Sequence, residues 1–283
     1  MLIDRIKCDI CNSEKSTNFL KYPEYPGLKI VKCKRCGFVY VTPIPNLETI
    51  KQQNIYTDFD RLYQKNRNCK KVILYQIIVL LRKYGKTEGD LLDVGCNVGY
   101  FLDIARTHGY RTSGIDINPD FIEYTKSRKH KTICGTLSQA NIEKDSYDVV
   151  VMLEMLEHTI SPSCELKEAK RVLKNNGILV VEVPNTVFHL LKGKFEKLIK
   201  SEAVGLNPTR HYNHFTHKTI KRFMEGEGFE VLGVYVGKPA YISPMFGKVI
   251  GLLNTILQRF LCLFFKLTNI HLGSRIIVIA RKK

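Results

Sequence analysis

The sequence is short of acidic residues and has no tryptophan: 27 Asp and Glu stand against 44 Lys and Arg, a formal net charge of +17 at pH 7. That imbalance leaves nucleic acid and anionic membrane surfaces open as partners. It selects neither, because the basic residues are spread along the chain and not massed in one tail. An apolar stretch long enough to cross a bilayer is also missing. The run VILYQIIVLL at 72–81 falls well short of the ~20 residues a span needs. The start, MLIDRIKCDI, has no apolar core followed by a small-residue cleavage site. A reducing cytoplasm is therefore the expected compartment, and the nine cysteines are not read as a disulfide framework.

What is present divides the chain of 283 residues into a small unit and a large one. Cys8, Cys11, Cys33 and Cys36 form two C-x-x-C knuckles separated by 21 residues, the spacing of a four-thiolate zinc site of the ribbon type. A unit of about 45 residues buries too little apolar surface to be stable alone, and a metal would supply the missing stability. A zinc-ribbon module is expected over 1–45. Redox use is disfavoured, because the two pairs share one short module and no C-x-x-C lies beside a βαβ unit. Cys69, Cys96, Cys134, Cys164 and Cys262 follow no pairing pattern and read as ordinary thiols.

The prolines of VTPIPN end regular structure, and 46–87 reads as a helical linker with a helix from Arg61 to Tyr84 bridging the two units. From 88 to 283 strand-like and helix-like runs alternate: LLDVG, RTSGIDI, KTIC, YDVVVML and GILVVEV, with helices between them. Such alternation predicts an α/β, doubly wound, Rossmann-like sheet of parallel strands. Its ligands should sit beyond the C-terminal ends of the strands.

The loop LLDVGCNVGYFL at 91–102 is the most informative stretch. A dinucleotide fingerprint from Gly95 needs glycines at 97 and 100, but Asn97 and Tyr100 stand there. The pattern is D-x-G-x-x-x-G, with Asp93, Gly95 and Gly99. Two glycines allow close backbone approach, and Asn97 is a non-glycine residue that tolerates a left-handed conformation. Asp116 closes the second strand, placed to accept from two ribose hydroxyls. A ligand with an amino-acid group, a sulfonium and a ribose but no pyrophosphate fits this set, and that ligand is S-adenosylmethionine.

LLDVGCNVGYFL, GIDIN, CGTLSQANIEKDSYDVVVMLEMLEH, VLKNNGILVVEVPN and HYNHFTHKTI together resemble the class I S-adenosylmethionine-dependent methyltransferases, a group that includes ubiquinone-type O-methyltransferases and sugar methyltransferases. CKRCGFVYVTPIP extends the resemblance to members with an N-terminal zinc module, which resemble methyltransferases of surface-polysaccharide and sugar pathways. The resemblance implies a seven-stranded sheet. It implies a cofactor site at Asp93, Gly95, Cys96, Gly99, Asp116 and Ile117, with Gly135, Thr136 and Leu137 flanking the adenine and Leu153 and Glu154 lining the pocket. The family often has glycine where Asn97 stands; cofactor binding is expected to persist.

Methyl transfer from a sulfonium needs mainly in-line positioning of a nucleophile and one base. EMLEH supplies Glu154, Glu157 and His158. In ubiquinone-type relatives such a triplet resembles a divalent-metal site orienting an oxygen; in the wider family it is architectural, and both readings stay open. RHYNHFTHKTI supplies His211, His214 and His217, with Thr216 as N-cap of a helix running to about Glu227. His158, His211 and His214 are the catalytic candidates, one of the latter two as general base. His217 is expected to face solvent, and Tyr212 is a poorer base.

Between FEVLGVYV and the last strand, SRIIVIARKK, lies an insertion at 237–273. In it Lys248, Gly251, Thr255, Gln258, Arg259, Cys262 and Lys266 form a narrow polar stripe on an otherwise apolar helix, 248–267. Such a helix suits peripheral membrane contact, a lid over the substrate, or burial against the sheet or another subunit. The leading expectation is methyl transfer to an oxygen or carbon of a small or lipid-linked metabolite, with a sugar or sugar nucleotide first in line. An RNA methyltransferase is the rival, disfavoured because no Asn/Asp-Pro-Pro-Tyr-like loop follows the fourth strand. A non-catalytic cofactor-binding scaffold is the third reading.

Overall fold

The computed structural model describes residues 2–20, 27–53, 58–200, 206–238 and 247–283, with the side chains of 52–53, 195–200 and 247–255 left aside. The N-terminal part comprises strands β1 (Leu2–Ile3), β2 (Ser16–Leu20), β3 (Lys29–Cys33), β4 (Val39–Thr42) and β5 (Ile44–Pro45), followed by helices α1 (Leu47–Gln53) and α2 (Phe59–Lys83). The large unit continues through β6 (Gly89–Val94), α3 (Tyr100–Thr107), β7 (Tyr110–Asp116), α4 (Pro119–Ser127), β8 (Lys131–Cys134), β9 (Tyr147–Leu153), α5 (Pro162–Val172) and β10 (Leu173–Pro184). It ends with α6 (Thr186–Lys200), β11 (Asn213–His214), α7 (His217–Gly226), β12 (Phe229–Val236), α8 (Gly247–Thr268) and β13 (Arg275–Lys282).

Seven strands form one sheet in the order β12-β13-β10-β9-β6-β7-β8. All run parallel except β13, which pairs antiparallel with both β10 and β12. The expected doubly wound α/β sheet is what the chain forms, with one reversed strand near its edge. The strands read as continuous apolar runs because both faces are covered. Successive residues of β10 take opposite sides: Ile178 and Val180 pack with Ile73, Ile77 and Phe101 of α2 and α3, whereas Leu179 and Val181 pack with Leu166, Ile220 and Phe223 of α5 and α7.

Two features differ from the expected layout. The stretch read as a bridge lays α2 on the sheet, burying Ile73, Leu74, Ile77, Ile78, Leu80 and Leu81. The cysteine unit is also not a separate appendage. Its Cys8, Cys33, Phe38 and Tyr40 belong to the same apolar cluster as Val94, Met152 and Phe215 of the large sheet's layer. A four-stranded sheet, β11-β4-β3-β2, runs through both parts.

Candidate functional site

After Val94 the chain turns over Gly95, Cys96, Asn97 and Val98 into α3. Gly95 and Gly99 have φ of +81° and +72°, conformations that cost an ordinary side chain strain. Space forbids one as well: a Cβ on Gly95 would lie 2.7 Å from Met155 Cγ, and one on Gly99 would lie 2.8 Å from Thr125 Cγ2. Asn97 adopts the left-handed conformation, φ 51°, and holds it by accepting the Val98 N–H at its Oδ1 over 2.8 Å. Asp116 accepts the backbone N–H groups of Asn97 and Asn118, each at 2.9 Å, so one carboxylate pins the loop to the end of β7.

Asp93 lies beneath this loop and is almost wholly buried. Burial, and then the charge of Asp116, push its carboxyl up to about 7, while Lys70 pulls it back. Two neighbouring acids under a glycine-lined loop make a site that gains from a cationic ligand. The residues present therefore fit the ammonium, sulfonium and ribose of S-adenosylmethionine.

The other residues expected at the cofactor gather around the same strand ends. Gly135, φ 135°, donates its N–H to the Asp116 carbonyl at 2.8 Å, and the Thr136 N–H reaches Gln139 Oε1 at 3.2 Å. Ile117 and Leu153 are half-buried there. Cys96 and Leu137 turn inward: the Cys96 thiol sits against Gly114, and Leu137 is fully buried in the core.

Glu154, at the end of β9, is held in an ion network. Its carboxylate lies 2.5 Å from Lys70 Nζ and 2.5 Å from an Arg275 guanidinium nitrogen, which also reaches Glu182 Oε1 at 2.6 Å. Burial raises the Glu154 pKa, but the two cations outweigh it and bring it down to about 2. Glu182 goes the other way, to about 7, through burial and the charge of Glu154. This network corrects the proposed metal triplet: with Glu154 engaged by two cations, the groups that converge are Glu157, His158 and His211, whose ligand atoms lie within 4.8 Å of one another.

The His158 Nδ1 atom lies 2.7 Å from the Arg210 carbonyl oxygen. Only an N–H can bond a carbonyl, so Nε2 keeps its lone pair and points toward Glu157 Oε1, 3.9 Å away. The His211 ring stands edge-on to His158 at 4.8 Å between centroids. Glu157 is buried, with Oε2 lacking a partner, and burial followed by the charge of Glu154 raises it well above the carboxylate range. Burial lowers His211 to about 4 and His214 to about 3, so both imidazoles are neutral at pH 7.

Glu157, His211 and His214 line a cavity of about 170 Å³ shared with Pro184, His189, Lys192 and Asn207. It lies at the C-terminal ends of β9 and β10, the same edge of the parallel sheet as the Gly95 loop that follows β6. His214 is 5 % exposed, with its Nε2 unpartnered at the cavity wall. The expectation for His217 fails: its ring is covered by Phe265, 5.4 Å away, and by His271 at 6.0 Å. Thr216 does cap α7, with Thr219 returning the bond to complete a capping box.

Sequence reasoning missed Asn213, His189 and Lys192. Asn213 is fully buried, donating from Nδ2 to the carbonyls of Leu156 at 2.9 Å and Thr159 at 2.7 Å. It also stands in β11, paired with Tyr40 of the cysteine unit. The H-x-N-H spacing of the histidine cluster was the available signal.

The four sulfur atoms of Cys8, Cys11, Cys33 and Cys36 lie within 4.8 Å of one another, and Cys8–Cys36 and Cys11–Cys33 are each 3.5 Å apart. None is in a disulfide. Four converging free thiols are the donor set of a tetrahedral zinc.

The reversed β13 beside parallel strands, the D-x-G-x-x-x-G loop and the acid ending β7 define a class I S-adenosylmethionine-dependent methyltransferase. The chain belongs to the methyltransferase-domain family, whose model matches residues 63–234. It is 29% identical to an uncharacterised protein of Methanocaldococcus jannaschii over 62% of this chain and 70% of that one. It is 27% identical to the ubiquinone biosynthesis O-methyltransferase of Histophilus somni over 46% of this chain, spanning 57% of that enzyme. Among solved structures, an S-adenosylmethionine-dependent methyltransferase from Archaeoglobus fulgidus shares the fold at a TM-score of 0.52 and 20% identity, covering 80% of this chain and 100% of its own.

Proposed function

We propose that the protein transfers a methyl group from S-adenosylmethionine to an oxygen or carbon of a small or lipid-linked acceptor, with a sugar or sugar nucleotide first in line. The observation that carries this reading is the cavity on the same sheet edge as the cofactor loop, lined by neutral His211 and His214 and by Lys192. Its volume of about 170 Å³ suits one ring-sized group. The ubiquinone-type relative supports an oxygen acceptor.

For an acceptor hydroxyl, the oxygen bonds to the methyl carbon as the carbon–sulfur bond breaks, and the bonding pair stays on sulfur. The hydroxyl proton passes to a neutral imidazole, His158 at Nε2 or His211. Lys192 and His189 on α6 supply donors for an anionic portion of the acceptor, such as a diphosphate. Cys8, Cys11, Cys33 and Cys36 would hold one structural zinc, which would fix the sheet that carries His214.

A second reading of the same pocket places a divalent cation on Glu157, His158 and His211, favoured by the His158 Nδ1 bond to a backbone carbonyl, the usual support of a ligating histidine. The test is methyl transfer from a labelled donor to sugar nucleotides, lipid-linked sugars, catechols and bulk RNA, with and without a chelator. Labelling of the sugar panel supports the leading reading. Labelling of RNA alone overturns it, and chelator-sensitive labelling of catechols supports the metal reading.

A further inference from the structure

Helix α8 packs on the sheet through Gln258, Cys262 and Phe265. Gln258 donates to the Val236 carbonyl of β12 at 3.0 Å, Cys262 is half-buried beside it, and Phe265 packs against His217 and His271. These contacts fix the rotation of the helix. They leave Ile256, Leu257, Phe260, Leu263 and Leu267 on the opposite side, exposed by 55, 53, 57, 56 and 77 %. At about 100° per residue these five side chains share one face. Contiguous apolar exposure of this kind marks an interaction surface.

Charge indicates what covers it. Arg259 and Lys266, both exposed, lie along one margin of the apolar face, where long basic side chains reach past an apolar boundary. From Val231 to Lys283 the chain carries eight Lys or Arg and no Asp or Glu. Two copies meeting through this face would set like charges together, within chains that already carry +17 each. An anionic bilayer surface offers apolar depth for the five side chains and negative headgroups for the margin. Among the described residues no helix is long and apolar enough to cross a membrane, so α8 would lie in the interface plane.

We infer that α8 docks the protein on anionic lipid surfaces through Ile256, Leu257, Phe260, Leu263 and Leu267, with Arg259 and Lys266 on the headgroups. This holds whatever acceptor is methylated. The test is co-sedimentation of the full chain with phosphatidylglycerol-containing vesicles and with pure phosphatidylcholine vesicles, beside light scattering for oligomeric state. The expected result is binding to the anionic vesicles, weakened about thirtyfold by Arg259→Gln with Lys266→Gln and lost in Phe260→Asp with Leu263→Asp. Both variants alter exposed side chains and should keep the native thermal midpoint. Absence of binding to anionic vesicles overturns the inference. So does a dimer that Phe260→Asp with Leu263→Asp dissociates, which would assign the face to a second copy.

Discussion

Asn213 stands opposite Tyr40 in the antiparallel pairing of β11 with β4, while its side-chain amide donates to the carbonyls of Leu156 and Thr159. One residue thereby ties the cysteine unit to the turn bearing Glu157 and His158. Arg5 adds a second tie, reaching Asn213 Oδ1 at 2.8 Å.

Breaking the cysteine cluster should therefore be felt in the cavity. The native protein should contain about one zinc per chain by mass. Cys33→Ser should lose it, with a fall in kcat larger than any change in affinity for S-adenosylmethionine. A metal-free protein that is folded and fully active would contradict the zinc assignment.

The fold was legible because its strands are continuous apolar runs and its turns carry their own chemistry. Asn97 was readable as left-handed, and Thr216 as a cap, from residue type alone. The ion network was not legible. Lys70, Glu154, Glu182 and Arg275 come from α2, the end of β9, β10 and β13, and only strand order brings them together. For the same reason EMLEH reads in sequence as one contiguous triplet, whereas Glu154 turns to Lys70 and Arg275. The outward apolar face of α8 was equally hidden, since periodicity gives the stripe but not which side meets the sheet; Lys248, Gly251 and Thr255 of that stripe lie outside the described side chains.

Arg275 is the partner that keeps Glu182 tolerable in the interior. Arg275→Ala would leave a buried acid without its cation, at a cost of about 3–5 kcal/mol. Urea denaturation should show that loss in the single variant and a much smaller one when Glu182→Gln is added. Equal losses would mean that the two side chains are not coupled.

His158→Ala and His211→Ala separate the candidate bases. Loss of the base should lower kcat about 10²- to 10⁴-fold and leave the affinity for S-adenosylmethionine unchanged. If neither substitution lowers kcat more than threefold or so, neither imidazole takes the proton.

Asp93 makes cofactor binding depend on pH. Its pKa is raised to about 7 in the ligand-free protein, so its contribution to stability is complete below the unfolded value of about 4 and is lost as pH rises through 7. Asp93→Asn should therefore stabilise the ligand-free protein at pH 8, with a gain on the order of 4 kcal/mol, and not at pH 4. A cationic ligand favours the ionised acid, so affinity for S-adenosylmethionine should rise between pH 6 and pH 8. In Asp93→Asn that rise should vanish; a pH dependence identical in both proteins would place the titrating group elsewhere.

The central claim is that the loop at Gly95–Gly99 and the acid at Asp116 form one cofactor site. Calorimetric titration of the native protein and of Asp116→Ala with S-adenosylmethionine tests it most directly. Saturable binding to the native protein, abolished by the substitution, is the predicted result. Failure of well-folded native protein to bind, or unchanged binding by Asp116→Ala, would contradict it.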